Sequence, residues 1–195
     1  FHKLKLVSPH SGETILERYC RQLTSKVSIV VGYRAAELMS SFPNHEFYYN
    51  HAWFETGSAY SVAAGLKSVP TIIIPCDLFL DDASANTVRS QTGNVIYTSA
   101  TENRETNAIN VNCENEEIKH IYSGPKIQGS DREFHGIVRI EDAELMQNIT
   151  KSCEEQPGAA FSDILNQFKS QFTACELTGE VREINSVDQF FEYFR

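Results

Sequence analysis

A stretch near the middle of the chain constrains the fold most: Thr71-Ile72-Ile73-Ile74-Pro75-Cys76-Asp77-Leu78-Phe79-Leu80. A short unbroken apolar run bounded by turn residues predicts a strand buried on both faces, as in the middle of a parallel sheet. Ligands of open α/β sheets lie outside the carboxyl ends of the strands, so Asp77 is placed to hold a cation against a substrate. The alternative interpretation is that Asp77 caps the next turn, as aspartate often does after a strand.

Strands and helices alternate before this stretch. The apolar pattern predicts strands at 27–31 and 46–49 and helices at 35–42 and 58–66. Short connections between alternating elements are typical of a right-handed parallel α/β layer. The carboxyl ends of parallel strands gather along one edge, so we expect a shared polar edge there. The segments that follow the three predicted strands are Gly32-Tyr33-Arg34, Asn50 and Pro75-Cys76-Asp77.

The second half of the chain predicts more strands and a different order. Strands are predicted at 94–99, 108–113, 117–122, 134–140, 174–177 and 181–184, with helices at 142–153 and 160–172 and a last helix from Ser186. This half extends the same sheet. We therefore expect one domain over residues 1–195, with a Rossmann-like three-layer α/β/α fold, a mostly parallel central sheet and a mixed C-terminal extension.

Composition excludes several classes of function. The chain has 195 residues and a net charge of −9, from 26 acidic and 17 basic residues. This charge disfavours a nucleic-acid groove or an anionic membrane surface, although a local cluster can still bind a small anion. The five cysteines are widely spaced and include no CxxC pair, which favours reduced thiols in a cytoplasmic protein. No apolar run approaches the roughly 18 residues that cross a bilayer.

Six short motifs come in a recognisable order. They are Lys5-Leu6-Val7 with 12–17, Val30-Val31-Gly32-Tyr33, Asn50 with 56–61, Pro75-Cys76-Asp77, 116–122 with 135–138, and Glu183-Ile184-Asn185-Ser186-Val187-Asp188. In this order they resemble the GT-A-like nucleotidyltransferases, which include sugar-phosphate nucleotidyltransferases, the molybdenum cofactor guanylyltransferase and the phosphocholine cytidylyltransferases. The resemblance implies a nucleotide-binding half at 1–92 and an acceptor-binding half at 93–195.

The resemblance also implies roles for particular residues. Asp77 and Asn185 would hold Mg²⁺, and Lys5 and Asp77 would be catalytic. The implied nucleotide-binding residues are Lys5, Gly32, Tyr33, Asn50, Gly57 and Ser58. The implied acceptor-binding residues are Trp53, Lys126, His135 and Arg139. Mg²⁺ takes oxygen ligands and uses one or two carboxylates, which suits an aspartate and a distant carboxamide.

The implied reaction transfers a nucleoside monophosphate from a triphosphate to a small phosphorylated or phosphonate acceptor and releases pyrophosphate. CTP is favoured because 183–191 most resembles the phosphocholine-type enzymes. The aromatic residues Trp53, Phe54 and Tyr60 form either a cage for a choline-like cation or the packing of a loop. A GT-A glycosyltransferase is an alternative, but Pro75 and Phe79 stand where an Asp-x-Asp pair would need a second acid.

The family opens with a strand and a glycine-rich loop that ends in arginine, and this sequence begins after the place where that loop would lie. We expect such a strand to belong to the fold, because a buried sheet poorly tolerates the loss of a central strand. If the loop were truly lost, a non-catalytic nucleotide-binding or regulatory module would be the third interpretation.

Overall fold

The computed structural model describes residues 3–24, 26–100 and 108–193. Its helices are α1 (Ile15–Leu23), α2 (Ala35–Ser41), α3 (Ser58–Gly65), α4 (Asp82–Ser90), α5 (Ala143–Glu155), α6 (Phe161–Gln167) and α7 (Val187–Tyr193). Its strands are β1 (Ser28–Val31), β2 (Glu46–Tyr49), β3 (Thr71–Ile73), β4 (Leu78–Leu80), β5 (Val95–Ser99), β6 (Ile109–Glu114), β7 (Glu117–Ser123), β8 (Arg132–Ile140), β9 (Thr173–Glu176) and β10 (Val181–Glu183). None of the helices in these described ranges could span a bilayer.

The first half of the chain follows the predicted alternation of strands and helices. β1 and β2 pair in parallel along their whole length, with Val31 opposite Tyr49. The first helix, α1, begins with a capping box in which Thr14 and Glu17 bond to each other's main-chain N–H groups. Its apolar side chains recur at helical spacing, so one face of α1 is buried.

The large sheet has six strands in the order β3-β8-β5-β9-β7-β6. β3 and β5 both pair antiparallel with β8, and β5 pairs parallel with β9. β3, β5 and β9 therefore point in one direction, while β8 runs against them. The sheet is more mixed than the predicted mostly parallel one, because an antiparallel strand from the second half is inserted between β3 and β5.

Helices cover both faces of this sheet. Neighbouring residues on a strand point to opposite faces, and Ile96 and Tyr97 of β5 belong to two different hydrophobic clusters. The cluster around Tyr97 includes Leu16 of α1 and Phe190 of α7. The cluster around Ile96 includes residues of α3, α5 and α6, such as Leu145. The prediction of a three-layer α/β/α fold is confirmed.

The stretch at 71–80 forms two short strands instead of one. β3 pairs with β8 in the large sheet, whereas β4 pairs antiparallel with β10. The three residues of β3 are only partly buried. Among the described residues β8 is the one strand partner of β3, as β2 is of β1. The prediction that this strand lies fully buried in the middle of a parallel sheet is wrong, because no described strand pairs with its second edge.

Candidate active site

Asp77 lies in the segment that connects β3 to β4, at the edge of the sheet where β3 ends. Its carboxylate is partly exposed, with 33% of the side-chain surface accessible, and Oδ2 lies 3.2 Å from Nζ of Lys3. The Lys3 side chain is 23% exposed. Asp77 is therefore a solvent-accessible carboxylate whose nearest charged neighbour is an ammonium group.

Asn185 lies next to this segment, although 108 positions (185 − 77) separate it from Asp77 in the sequence. β10 pairs with β4 so that Glu183 stands opposite Leu78, and the N–H of Ile184 donates to the carbonyl oxygen of Asp77 at 2.6 Å. Asn185 is the next residue and is exposed. The structure thus brings together the two residues that were predicted to share a metal ion.

Helix α1 holds the Asp77 segment from behind. The hydroxyl group of Tyr19 donates to the carbonyl oxygens of Leu78 at 2.5 Å and of Pro75 at 3.3 Å. Arg18 Nε donates to the carbonyl oxygen of Leu80. Burial raises the pKa of Tyr19 well above its usual range, so the hydroxyl stays protonated and remains a donor. The main chain on both sides of Asp77 is therefore fixed by a buried donor.

The lysine that reaches Asp77 is Lys3, which was not among the predicted site residues. Lys3 and Lys5 belong to one 3₁₀ turn, and Nζ of Lys5 points instead to Oε1 of Glu37, at 3.4 Å. The Lys-Leu-Lys pattern shows two candidate lysines but does not indicate which one faces the carboxylate. Lys3, rather than the predicted Lys5, is therefore the lysine of this turn that lies beside Asp77.

An exposed aromatic group lies at the end of β1. The ring of Trp53 contacts the rings of Tyr33 and Phe54, with centroid distances of 5.3 Å and 5.7 Å. A Cβ atom on Gly32 would lie 2.5 Å from the Cβ of Trp53, so only glycine allows this close packing. Trp53, predicted on the acceptor side, thus lies with Gly32 and Tyr33, the residues predicted to bind the nucleotide. The observed aromatic cluster therefore contains Tyr33 with Trp53 and Phe54, where Tyr60 was predicted as the third ring.

Asn50 is buried, with 2% of its surface exposed, and its side chain is used within the protein. Nδ2 donates to the hydroxyl oxygens of Thr56 and Ser61, and Oδ1 accepts from the N–H of Ala52. These three bonds shape the loop from 50 to 58. The carboxamide thus lies inside the loop, whereas nucleotide binding was predicted for it.

Gly57 and Ser58 are packed against the second half of the chain. The N–H of Gly57 donates to the carbonyl oxygen of Pro157 at 2.7 Å, and Ser58 Oγ accepts from the N–H of Phe161 at 2.9 Å. A Cβ atom on Gly57 would lie 2.2 Å from the carbonyl oxygen of Ala159. These two predicted nucleotide-binding residues join the α3 end of the loop to the segment before α6.

His135 on β8 is buried next to the Asp77 segment. Its Nε2 is hydrogen-bonded to Ser99 Oγ at 3.0 Å, and Glu133 Oε1 lies 3.8 Å from Nδ1. Nδ1 itself is buried with no hydrogen-bond partner in the described part of the chain. Burial lowers the pKa of His135 to about 4, so the ring is neutral at pH 7. The next residue, Gly136, has φ +84° and lies against Pro75.

Arg139, predicted to bind the acceptor, lies at the opposite end of β8 from the Asp77 segment. It stands opposite Ile72, five residues before Asp77. Its guanidinium group donates to the carbonyl oxygen of Val88 and to Glu141 Oε1, at 2.9 Å and 3.0 Å. These bonds tie β8 to the end of α4, and only 13% of the side chain is exposed.

Lys126 lies in the turn between β7 and β8, on the Asp77 side of the sheet, because β8 begins there. The main-chain N–H groups of Ile127 and Gln128 donate to Oδ2 of Asp131, which is buried. Tyr122 OH and Asn112 Nδ2 donate to the same carboxylate. The turn that carries Lys126 is therefore well anchored.

The residues around Asp77 suit Mg²⁺ better than a soft metal ion. Within the described ranges no three His, Cys, Asp or Glu side chains cluster as a ligand set. One carboxylate and one carboxamide at neighbouring positions supply oxygen donors, and Mg²⁺ in phosphate chemistry takes its other ligands from phosphate and water. The donor set therefore fits the predicted ion.

Comparison by sequence finds no matching family model and no matching curated protein. Comparison by structure finds many similar chains. CTP:phosphocholine cytidylyltransferase from Streptococcus pneumoniae has a TM-score of 0.73 and 15% identity, with 99% of this chain and 88% of that one covered. A Bacillus anthracis protein assigned as a glucose-1-phosphate thymidylyltransferase has a TM-score of 0.73 and 17% identity, with 99% and 86% covered.

A UDP-glucose pyrophosphorylase, solved with UDP-glucose, has a TM-score of 0.69 and 14% identity, with 97% of this chain and 88% of that one covered. At these identities the likeness concerns the fold. The match extends over nearly the whole chain. The chain has the fold of the GT-A-like nucleotidyltransferases.

Proposed function

We propose that the protein is a Mg²⁺-dependent nucleotidyltransferase that transfers a nucleoside monophosphate from a triphosphate to a small phosphorylated acceptor. The observation that carries the proposal is that Lys3 Nζ lies 3.2 Å from Asp77 Oδ2 and that Asn185 follows Ile184, whose N–H donates to the carbonyl oxygen of Asp77. An acid, a carboxamide and an ammonium group are the groups needed to hold a metal–triphosphate complex. The similarity of fold to enzymes of this class supports the same reaction.

The reaction needs alignment and charge neutralisation more than proton transfer. An oxygen of the acceptor phosphate is already ionised at neutral pH and attacks the α-phosphorus directly. A new P–O bond forms, the bond between the α-phosphorus and the bridging oxygen breaks, and pyrophosphate leaves. Bound Mg²⁺ would neutralise charge on the phosphates. Asp77 and Asn185 would orient that complex, and Lys3 would stabilise the charge of the leaving pyrophosphate.

The nucleotide and the acceptor would lie on opposite sides of Asp77. We assign the base and ribose to the side of Gly32, Tyr33 and Trp53, where exposed rings offer stacking surfaces. Asn50, Gly57 and Ser58 would serve the nucleotide indirectly, by shaping the loop beside it. CTP remains our preferred substrate because of the resemblance of the segment from Glu183 onward.

The acceptor would bind on the side of the second half, near His135 and Lys126. His135 would support this side from within β8, because its ring is buried and its Nε2 is hydrogen-bonded to Ser99 Oγ. Lys126 can meet a phosphate as a point charge. The anchored turn that carries Lys126 would hold that charge in place.

The test is pyrophosphate release with four triphosphates and a panel of phosphorylated acceptors. With Asp77→Ala we expect Mg²⁺-dependent release to fall by about 10²- to 10³-fold or more, with unchanged far-UV circular dichroism. Asp163→Asn, an exposed carboxylate in the first turn of α6, is the matched control and should keep full activity. Undiminished turnover in Asp77→Ala would remove Asp77 from the mechanism.

A binding experiment tests the nucleotide independently of the acceptor. A triphosphate with Mg²⁺ at about 100 times its Kd should stabilise the protein by roughly 2.7 kcal/mol. If none of the four triphosphates raises the melting temperature, the proposed function is wrong.

A further inference from the structure

The ion pair between Lys3 and Asp77 occupies the carboxylate that the proposed function assigns to the metal. Nζ of Lys3 lies 3.2 Å from Oδ2 of Asp77, and both side chains are partly exposed. An ammonium group at this distance satisfies one carboxylate oxygen and neutralises its charge. A divalent cation that binds the same oxygen must displace the ammonium group or bind beside it against electrostatic repulsion.

Lys5 makes a similar pair with a different carboxylate. Its Nζ lies 3.4 Å from Glu37 Oε1, and both side chains are 35% exposed. The two lysines are two positions apart in the same 3₁₀ turn. They therefore have the same chemistry and comparable exposure, but only Lys3 contacts Asp77.

We propose that Lys3 is an exchangeable counter-ion of Asp77, which makes the binding of metal and triphosphate cooperative. This inference rests on the proposed function, because it requires the metal to bind at Asp77. Without nucleotide, Lys3 holds the carboxylate and weakens binding of the metal ion. When a metal–triphosphate complex binds, the Asp77 carboxylate would coordinate the metal ion, and the ammonium group of Lys3 would pair with the phosphates instead.

Linkage gives this exchange a definite sign. A ligand shifts an equilibrium only through its different affinity for the two states. The metal alone favours the state in which Lys3 has left Asp77. Its affinity is lowered by the free energy needed to break the Lys3–Asp77 ion pair. The triphosphate stabilises that same state, because its phosphate oxygens pair with the ammonium group of Lys3. Each ligand therefore increases the affinity for the other by the same factor.

Lys3→Met removes the ammonium group and keeps most of the alkyl stem. Binding of Mn²⁺ alone, measured by electron paramagnetic resonance of the free ion, should become about two- to fivefold tighter, the factor expected from a partly exposed ion pair. Binding of the Mn²⁺ complex of a non-hydrolysable triphosphate should become about tenfold weaker or more, since a charged contact to phosphate is lost. The opposite signs are the signature of exchange.

Lys5→Met is the matched control, and its affinity for Mn²⁺ alone should equal that of the wild type. If Lys3→Met leaves the affinity for Mn²⁺ alone unchanged or weakens it, the exchange proposal is overturned. Asp77→Asn separates this failure from that of the proposed function. If Asp77→Asn binds Mn²⁺ as tightly as the wild type, the metal site at Asp77 is itself wrong, whatever Lys3 does.

Discussion

Two groups of residues in the molecule use similar residue types in opposite ways. The rim consists of Lys3, Asp77 and Asn185, whose side chains are partly or largely exposed. The supporting layer consists of Tyr19, Asn50 and His135, all of them buried. The rim leaves charged and polar atoms within reach of a ligand. In the supporting layer most polar atoms are hydrogen-bonded to other groups of the protein.

This difference shows that residue type alone does not assign a role near a site. Asn50 and Asn185 were both predicted to contact ligand, but only Asn185 is exposed. A buried polar side chain with three hydrogen bonds contributes to stability, because its loss leaves its partners unsatisfied. An exposed one contributes little to stability and remains available for binding. The following predictions test this division.

The largest effect on stability is expected for Asn50→Ala. The substitution removes three hydrogen bonds, and the groups that Asn50 contacted lose their hydrogen-bond partner. The free energy of unfolding should therefore fall by about 3 kcal/mol. Denaturation with urea measures the change. Asn185→Ala is the matched variant and should change stability by less than about 0.5 kcal/mol, as exposed substitutions do, while weakening Mn²⁺ binding. Equal losses of stability in the two variants would abolish the distinction between rim and supporting layer.

His135 should make stability depend on pH. Its pKa is about 4 in the folded protein against an ordinary value of 6.5, so between these values the unfolded chain binds a proton that the folded chain does not. Stability is therefore lost as pH falls from 6.5 toward 4, by about 2 kcal/mol between pH 7 and pH 5. Urea denaturation at both pH values should show a smaller drop for His135→Gln than for the wild type.

His51 provides the control, because it is exposed and lies in the loop after Asn50. His51→Gln should keep the pH dependence of the wild type. If His135→Gln keeps the whole dependence as well, the drop arises from other groups and His135 is not held neutral by burial.

A smaller effect is expected for Tyr19→Phe. The substitution removes the buried donor to Leu78 and Pro75 and should cost about 1–2 kcal/mol of stability. Because the same bonds fix the main chain around Asp77, turnover should also fall at saturating triphosphate. Tyr48→Phe, which loses only a bond to the carboxylate of Glu46, should leave turnover unchanged. A loss of stability in Tyr19→Phe without any loss of turnover would show that α1 does not position Asp77.

Much of the fold could be predicted from the sequence. Alternating apolar segments predicted β1, α2, β2 and α3 in their observed order. Among the described residues β1 and β2 form a two-stranded sheet of their own, whereas β3 belongs to the six-stranded sheet, so the expected row of three neighbouring parallel strands is not observed. The resemblance predicted Asp77 and Asn185 as partners, and β10 brings them together. These predictions rest on local periodicity and on motif order, which a linear sequence records directly.

Tertiary packing decided the rest. Lys3 and Lys5 are equivalent in the sequence, and only the 3₁₀ turn determines which ammonium group meets Asp77. Arg139 was predicted to bind the acceptor, and the register of β8 against β3 places it at the far end of the strand. The side-chain period of a strand is local, but its direction and neighbours depend on residues far away in the chain. For that reason the sequence determined which functional groups the chain contains, and the tertiary structure decided which of their side chains lie beside Asp77.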